Sequence, residues 1–251
     1  MEIKGIDVSS WQGVIDWETV DKSGQRFAIV RATVGREYVD PYFYRNMEES
    51  QKYGIPTGAY HYCLASSEDE SVAEAKHFIN VIGKSHIEYP AVLDMEYRGL
   101  TGLSRPLLNN ITVSFLNEVE NAGYYPMLYA DRYWLENLLD SDDLKRFDKW
   151  LAEYGTDSYT YTGNVGIWQY TDTCKVSGIN GYADCDISYR DYKAIIKDGG
   201  WNNLDKGLTL QEAKRVIQDK CGFDDNTMLF LSMYKYSDSL ILRLAEQMVK
   251  C

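Results

Sequence analysis

Short apolar runs rich in β-branched and aromatic residues recur along the chain, and stretches with helical spacing separate the earlier ones. Bounded runs of this composition read as strands. They are IKGIDVS (3–9), FAIVRAT (27–33), PTGAYHYC (56–63), YPAVLDME (89–96), YPMLYA (125–130), KWLAEY (149–154), VGIWQY (165–170) and ADCDISY (183–189). The spacers 40–53, 67–83, 109–122 and 131–146 place apolar residues three and four apart, as in Ala73, Phe78, Ile79 and Ile82. That spacing is the stripe an amphipathic helix turns toward a core. Strands alternating with helices imply parallel pairing through crossovers, and eight such strands close most naturally into a barrel. The expected fold class is therefore α/β, a TIM-like β/α barrel. It is expected to be irregular, because 155–164 and 171–182 are too short and too rich in Gly, Thr and Ser to hold full crossover helices. Some late strands can then pair antiparallel. A doubly wound open sheet competes, but no Gly-rich phosphate-binding turn follows the first strand.

The composition shifts after KDGGWNNLDKG. The division this suggests is a catalytic barrel over 1–197, a Gly/Asn-rich linker over 198–207, and a small all-α region of about three helices over 208–251. The helices are LTLQEAKRVIQDKCG, with Thr209 as a cap and Glu212 three residues on, then FDDNTMLFLSMYKY, then SDSLILRLAEQMVK opened by Ser237 or Asp238. A bundle this small is marginal alone, so it is expected to dock, to pair with another copy into a homo-oligomer, or to bind something.

A hydrophobic fraction of 45% and an aromatic fraction of 14% are those of a globular protein, and no run of 18 apolar residues offers a membrane span. The net charge of −12 argues against nucleic acid or an anionic membrane as partner, since both reward a basic face. The five cysteines include no CxxC pair and no histidine at ligand spacing, so neither a metal nor a cofactor is expected. Cys174 and Cys185 could pair, but ordinary thiols are the favoured reading. The opening MEIKGIDVSS has no apolar signal core. It suggests a protein of the cytosol, or one that leaves by a route needing no signal peptide.

Acids gather at strand ends: Asp7 in the first, Asp94 and Glu96 in the fourth, Asp184 and Asp186 in the eighth. In a β/α barrel these ends open on one face, so distant acids converge there. Asp94 and Glu96, two apart in a strand, leave on the same face with Cα atoms about 6–7 Å apart. Two carboxyls that close resist joint ionisation, which holds a proton near neutral pH and suits a general acid beside a carboxylate stabiliser. Glycoside hydrolysis is the reaction that most often uses such a pair. A solvated strand end or a salt-bridge cluster is the bland alternative. Tyr60, Tyr62, Tyr129, Tyr154, Trp168 and Tyr170 also lie near strand ends. Tyr62, Tyr129 and Trp168 are the expected sugar-stacking residues, and Gln169 can satisfy hydroxyl or amide groups. His61 alternates away from Tyr62 and reads as a hydrogen-bonded support, while Ser9 and Ser10 lack the GxSxG elbow of a nucleophile.

GIDVSSWQG (5–13), FAIVRAT, GAYHY (58–62), AVLDME (91–96), GIWQY (166–170) and ADCDISY resemble, in order, the motifs of glycoside hydrolase family 25, the Chalaropsis-type muramidases that include many phage endolysins. The resemblance spans roughly residues 3–195 and omits the C-terminal helices. It implies an irregular β/α barrel that cleaves the β-1,4 bond between N-acetylmuramic acid and N-acetylglucosamine in bacterial peptidoglycan. It implies Glu96 as general acid, Asp94 as the group that orients the substrate's 2-acetamido group as it attacks the anomeric carbon, Asp7 as the first-strand acid, and Asp184 with Asp186 as the last-strand pair. Asp184 is the expected catalytic member and Asp186 the substrate-binding one. The opening without a signal core favours an endolysin made in the host cytoplasm and released to the wall at lysis, or an extracellular enzyme, and the linker with the aromatic MLFLSMYKY helix suggests that the C-terminal helices serve wall targeting or self-association. A glycan-binding barrel that does not cut, or a hydrolase of another acetamido-sugar polymer such as chitin, are the competing functions.

Overall fold

The computed structural model describes residues 2–202, 210–232, 240, 241, 244, 245, 248 and 249. The chain divides into two compact units, Met1–Asn202 and Asn203–Cys251.

The first unit is built on nine strands: β1 (Ile3–Val8), β2 (Phe27–Val34), β3 (Tyr38–Val39), β4 (Thr57–Tyr62), β5 (Ala91–Asp94), β6 (Pro126–Asp131), β7 (Asp148–Ala152), β8 (Val165–Cys174) and β9 (Ala183–Ser188). The order β1-β9-β8-β7-β6-β5-β4-β2, closed by β1 on β2, makes an eight-stranded barrel, and the two-residue β3 hangs on the edge of β2. β1, β2 and β4 to β8 run parallel to their barrel neighbours in that series, whereas β9 is antiparallel to both β1 and β8. The reversal follows from chain length. The segment 175–182 between β8 and β9 carries no helix, and a parallel return needs a crossover of a dozen residues or more.

Helices cover the earlier strands: α1 (Trp17–Lys22), α2 (Phe43–Lys52), α3 (Glu68–Ile82), α4 (Arg105–Asn121), α5 (Arg132–Asn137) and α6 (Tyr192–Asp198). α3 begins where the Ser67 side chain accepts from the Glu70 amide, and α4 where Ser104 caps ahead of Pro106. Outward strand residues such as Ile6, Val30, Ala59, Leu93, Leu128 and Leu151 pack with Phe78, Ile111 and Phe115 of the helices in one continuous core. At the base of β4 there is no room for a side chain at position 58: a Cβ on Gly58 would lie 2.7 Å from the Pro90 carbonyl oxygen.

Several boundaries differ from expectation. α1 was not anticipated, because its six residues are too few to display a helical period. α5 stops at Asn137, well short of the expected 131–146, and β8 runs on to Cys174. Cys174 and Cys185 are joined in a disulfide, against the expectation of ordinary thiols; sequence spacing alone carries no information on whether two Cβ atoms meet. The stretch read as the start of a linker is seated on the barrel. Asn202 is buried, accepts from the Tyr125 amide at 2.7 Å and donates to the Tyr89 carbonyl at 2.8 Å.

In the second unit α7 (Leu210–Cys221) and α8 (Asp225–Ser232) contribute Ala213, Ile217 and Met228 to a small core with Ile241 and Ala245. Thr209, and most of the third expected helix with Ser237 and Asp238, lie outside the described residues. Among the described residues, no helix is long and apolar enough to cross a membrane.

Candidate active site

Alternate strand residues face the barrel lumen. Low in the lumen these are apolar, among them Ile29, Val92, Met127 and Ile167, all fully buried. Nearer the C-terminal ends of the parallel strands they become polar, and there the barrel opens into a cleft. The mouth, of about 470 Å3, is lined by Trp11, Arg31, Tyr60, Tyr62, Asp94 and Glu96 together with Asp7 and Asp184. A deeper recess of about 170 Å3 shares Asp7, Asp94, Glu96 and Asp184 and adds Tyr129, Trp150, Tyr154 and Gln169.

Asp94 is the last residue of β5, and Glu96 follows just beyond it, where the Met95 amide still donates to the Tyr129 carbonyl at 3.0 Å. Both acids therefore reach the cleft, Asp94 from a buried position and Glu96 at the opening. Burial pushes the Asp94 carboxyl well above the usual range, the Glu96 charge adds to this, and Arg31 opposes it. One oxygen of Asp94, Oδ1, is buried with no hydrogen-bond partner among the described residues. Desolvation by the cleft walls, reinforced by Asp131, also raises Glu96, while the Tyr129 hydroxyl, 3.5 Å from Glu96 Oε2, pulls it back.

Across the cleft, Asp7 and Asp184 are directly paired in the antiparallel β1–β9 ladder. Gln169 Nε2 donates to Asp7 Oδ2 at 2.7 Å, and Gln169 Oε1 accepts from the hydroxyls of Tyr129, at 2.9 Å, and Tyr154. One amide thus ties three strands together, as its two donors and two acceptor sites permit. Burial, then the charges of Asp186 and Asp184, push the Asp7 carboxyl well above the usual range, so the three carboxyls do not all ionise together. Asp184 is raised to about 6, chiefly by desolvation and then by Asp172.

Strand direction separates Asp184 from Asp186. Because β9 is antiparallel, its beginning, not its end, sits at the open face, so Asp184 reaches the cleft and Asp186 lies deeper. Asp186 is fully buried, accepts from Trp150 Nε1 at 2.7 Å, and lines neither chamber. It was expected to contact substrate; the structure places it beneath the cleft wall. Trp168 is corrected likewise. It sits outward on β8, donates from Nε1 to the Glu153 carbonyl at 2.8 Å and packs on Tyr159 and Tyr170, one position out of phase with Gln169. His61 faces away from the cleft and is fully buried between Thr33 Oγ1, at 2.8 Å from Nδ1, and Glu74 Oε2, at 2.9 Å from Nε2. Burial pushes its pKa down.

Arg31 and Trp11 are among the lining residues that were not anticipated. Arg31 is the cation among the described lining residues; Asp40 grips it at 2.9 Å from Nε and Ser10 Oγ at 2.9 Å from its second nitrogen. Its signal was visible in FAIVRAT, since a charge inside an apolar strand must be paired somewhere. Trp11 is 84% exposed at the mouth. Ser9 and Gln12 hold it there through a capping box over the single turn Ser10–Gln12 that follows β1.

Residues 6–179 match the sequence model of the glycosyl hydrolases family 25. The chain is 37% identical to the protein YegX of Escherichia coli strain K12 over 192 residues, which span 74% of this chain and 69% of that one. It is 29% identical to an autolytic lysozyme of Clostridium acetobutylicum, over 86% of this chain and 64% of the other. Among solved structures, a bacterial lysozyme of Streptomyces coelicolor superposes with a TM-score of 0.72 at 28% identity, over 78% of this chain and 97% of that one. An eight-stranded barrel with one reversed strand, a cleft of carboxyls at its open end and a family match over most of its length make this chain a glycoside hydrolase that belongs to family 25.

Proposed function

We propose that the chain is an N-acetylmuramidase that cuts the β-1,4 bond between N-acetylmuramic acid and N-acetylglucosamine in peptidoglycan, with Glu96 as the proton donor to the leaving oxygen. The observation that carries this reading is the unpartnered, buried Oδ1 of Asp94 beside the solvent-reached Glu96. A buried acceptor without a partner is costly, and the N–H of a substrate's 2-acetamido group satisfies it. Accepting that N–H favours ionised Asp94 and aims the acetamido oxygen at the anomeric carbon. Asp94 then stabilises the cationic ring that forms as the C–O bond breaks and Glu96 transfers its proton. Glu96 is suited to donation because desolvation and Asp131 raise its pKa from the ordinary carboxylate value. Asp7 and Asp184 hold the opposite wall, where Asp184, raised to about 6, can receive a proton from the water that completes hydrolysis. In this reading the C-terminal unit holds the enzyme on the wall.

Mass spectrometry of digested peptidoglycan tests the assignment. Fragments with N-acetylmuramic acid at the reducing end support it, whereas N-acetylglucosamine at that end, or faster release from chitin, rejects it. Unchanged wall affinity after removal of residues 204–251 rejects the targeting role.

A further inference from the structure

The disulfide between Cys174 and Cys185 lies beside the cleft, and nothing in the hydrolytic reading uses it. Cys185 is the residue between Asp184 and Asp186 on β9, almost fully buried, with its side chain on the face opposite theirs. Cys174 ends β8 and is partly exposed. The β8–β9 ladder is irregular just here, with register shifts between Gln169 and Thr171 and again between Thr171 and Cys174. The ladder therefore gives the beginning of β9 less support than a regular one would. Beyond it, the 175–182 connection is held by two hydrogen bonds, from the Asp16 amide to the Gly178 carbonyl at 2.9 Å and from Gln12 Nε2 to the Tyr182 carbonyl at 3.3 Å, and by Val176, buried in the core with Ile179 against it.

Electrostatics work against this end of the strand. Asp184 faces Asp7 across the ladder, with Asp186 two residues on and Asp172 on β8 contributing a further like charge. Desolvated carboxyls packed this closely resist joint ionisation. A relaxation of β9 toward solvent would separate these carboxyls, and the covalent link at Cys185 resists it.

We infer that the Cys174–Cys185 disulfide is a positioning element for hydrolysis, holding Asp184 at the cleft wall so that full activity requires the oxidised chain. The inference rests on the reading of Asp184 as a working member of the cleft. Reduction by a dithiol breaks the S–S bond, adds two electrons and two protons to give two cysteine thiols, and leaves the reagent as its own disulfide. Cys174, the partly exposed member of the pair, is the side from which a dithiol approaches. A protein of this design is restrained in a reducing cytoplasm and reaches full activity once its surroundings oxidise thiols.

The test compares the full oxidised chain, the dithiol-reduced chain, and the double variants Cys174→Ser with Cys185→Ser and Cys174→Ala with Cys185→Ala. Release of reducing ends from peptidoglycan is followed across pH, with circular dichroism and thermal melting as the measure of folding. Reduction and both double variants are expected to lower kcat by about tenfold or more, as a displaced catalytic group does, with KM little changed. The pH limb belonging to Asp184 moves to lower pH as its carboxyl becomes better solvated. The double variants no longer respond to dithiol, whereas Cys221→Ser, at an exposed free cysteine, responds as the parent does. Unchanged kcat and pH profile in a folded, reduced chain overturn the inference. So does loss of activity only in step with global unfolding, which would make the bridge a general staple. Asp184→Asn separates the two readings. Full activity in that variant removes Asp184 from the cleft chemistry, while an inactive variant together with a silent reduction removes the disulfide inference alone.

Discussion

Asp7 and Asp184 stand directly opposite one another in the antiparallel β1–β9 ladder, two carboxyls where a stable sheet would place a complementary pair. Gln169, which lies 162 residues from Asp7 in sequence, donates to Asp7, and Asp186 sits behind. Such a cluster sacrifices stability for chemistry.

The sign of that trade sets the first prediction. Asp186 has a folded-state pKa raised well above its ordinary 3.8, mainly by burial, so the folded chain keeps a proton that the unfolded chain releases. The stability this group contributes is fully present below its unfolded pKa and declines as pH rises toward the folded one. Asp186→Asn keeps an acceptor for Trp150 and removes the charge. It should raise Tm at pH 8 by about 2–4 °C, the change for roughly 1 kcal/mol in a domain of this size, and by less at pH 4. Thermal melts at the two pH values check this; a larger gain at pH 4 would contradict it.

Glu96→Gln should leave the fold intact, with no loss of Tm, and reduce release of reducing ends from peptidoglycan by about 10²–10⁴-fold, the range for loss of a general acid. Asp94→Asn should also depress kcat. An amide can still offer an oxygen to the acetamido N–H, but it cannot balance the cationic ring. Near-parent turnover in Glu96→Gln would end its assignment as donor.

Asp131 offers a test by charge alone. It caps α5, accepting from the Trp134 amide at 2.8 Å, and its charge raises Glu96. Asp131→Asn keeps a good cap and deletes the charge. The Glu96 pKa should then fall, and because the donor works in its protonated form, the alkaline limb of the kcat profile should move to lower pH. Steady-state rates from pH 4 to 9 read this directly, and a limb moved upward would be incompatible with Glu96 as the acid.

Gly58 is required by packing. A methyl group there meets the Pro90 carbonyl at 2.7 Å, and backbone cannot swing aside as a side chain can. Gly58→Ala should cost about 1–3 kcal/mol, the range for overpacking a tight core, measured by denaturant titration. Since Pro90 leads into β5, turnover should fall as well.

Alternating apolar runs and helical stripes made all eight barrel strands legible, because periods of two and 3.6 residues are local properties of the chain. The acids at strand ends were legible for the same reason: AVLDME is core up to Leu93, after which Asp94 and Glu96 reach the cleft while Met95 between them stays in the core. Three matters were decided only by tertiary structure. Whether Asp184 or Asp186 meets solvent depends on the direction of β9, which barrel closure sets. Whether Trp168 or Gln169 enters the lumen depends on the phase of β8, and a shift of one residue exchanges the faces. The disulfide and the Arg31–Asp40 pair require meetings between elements that no spacing encodes. Local periodicity specifies which residues alternate; only closure of the barrel specifies which of them meet.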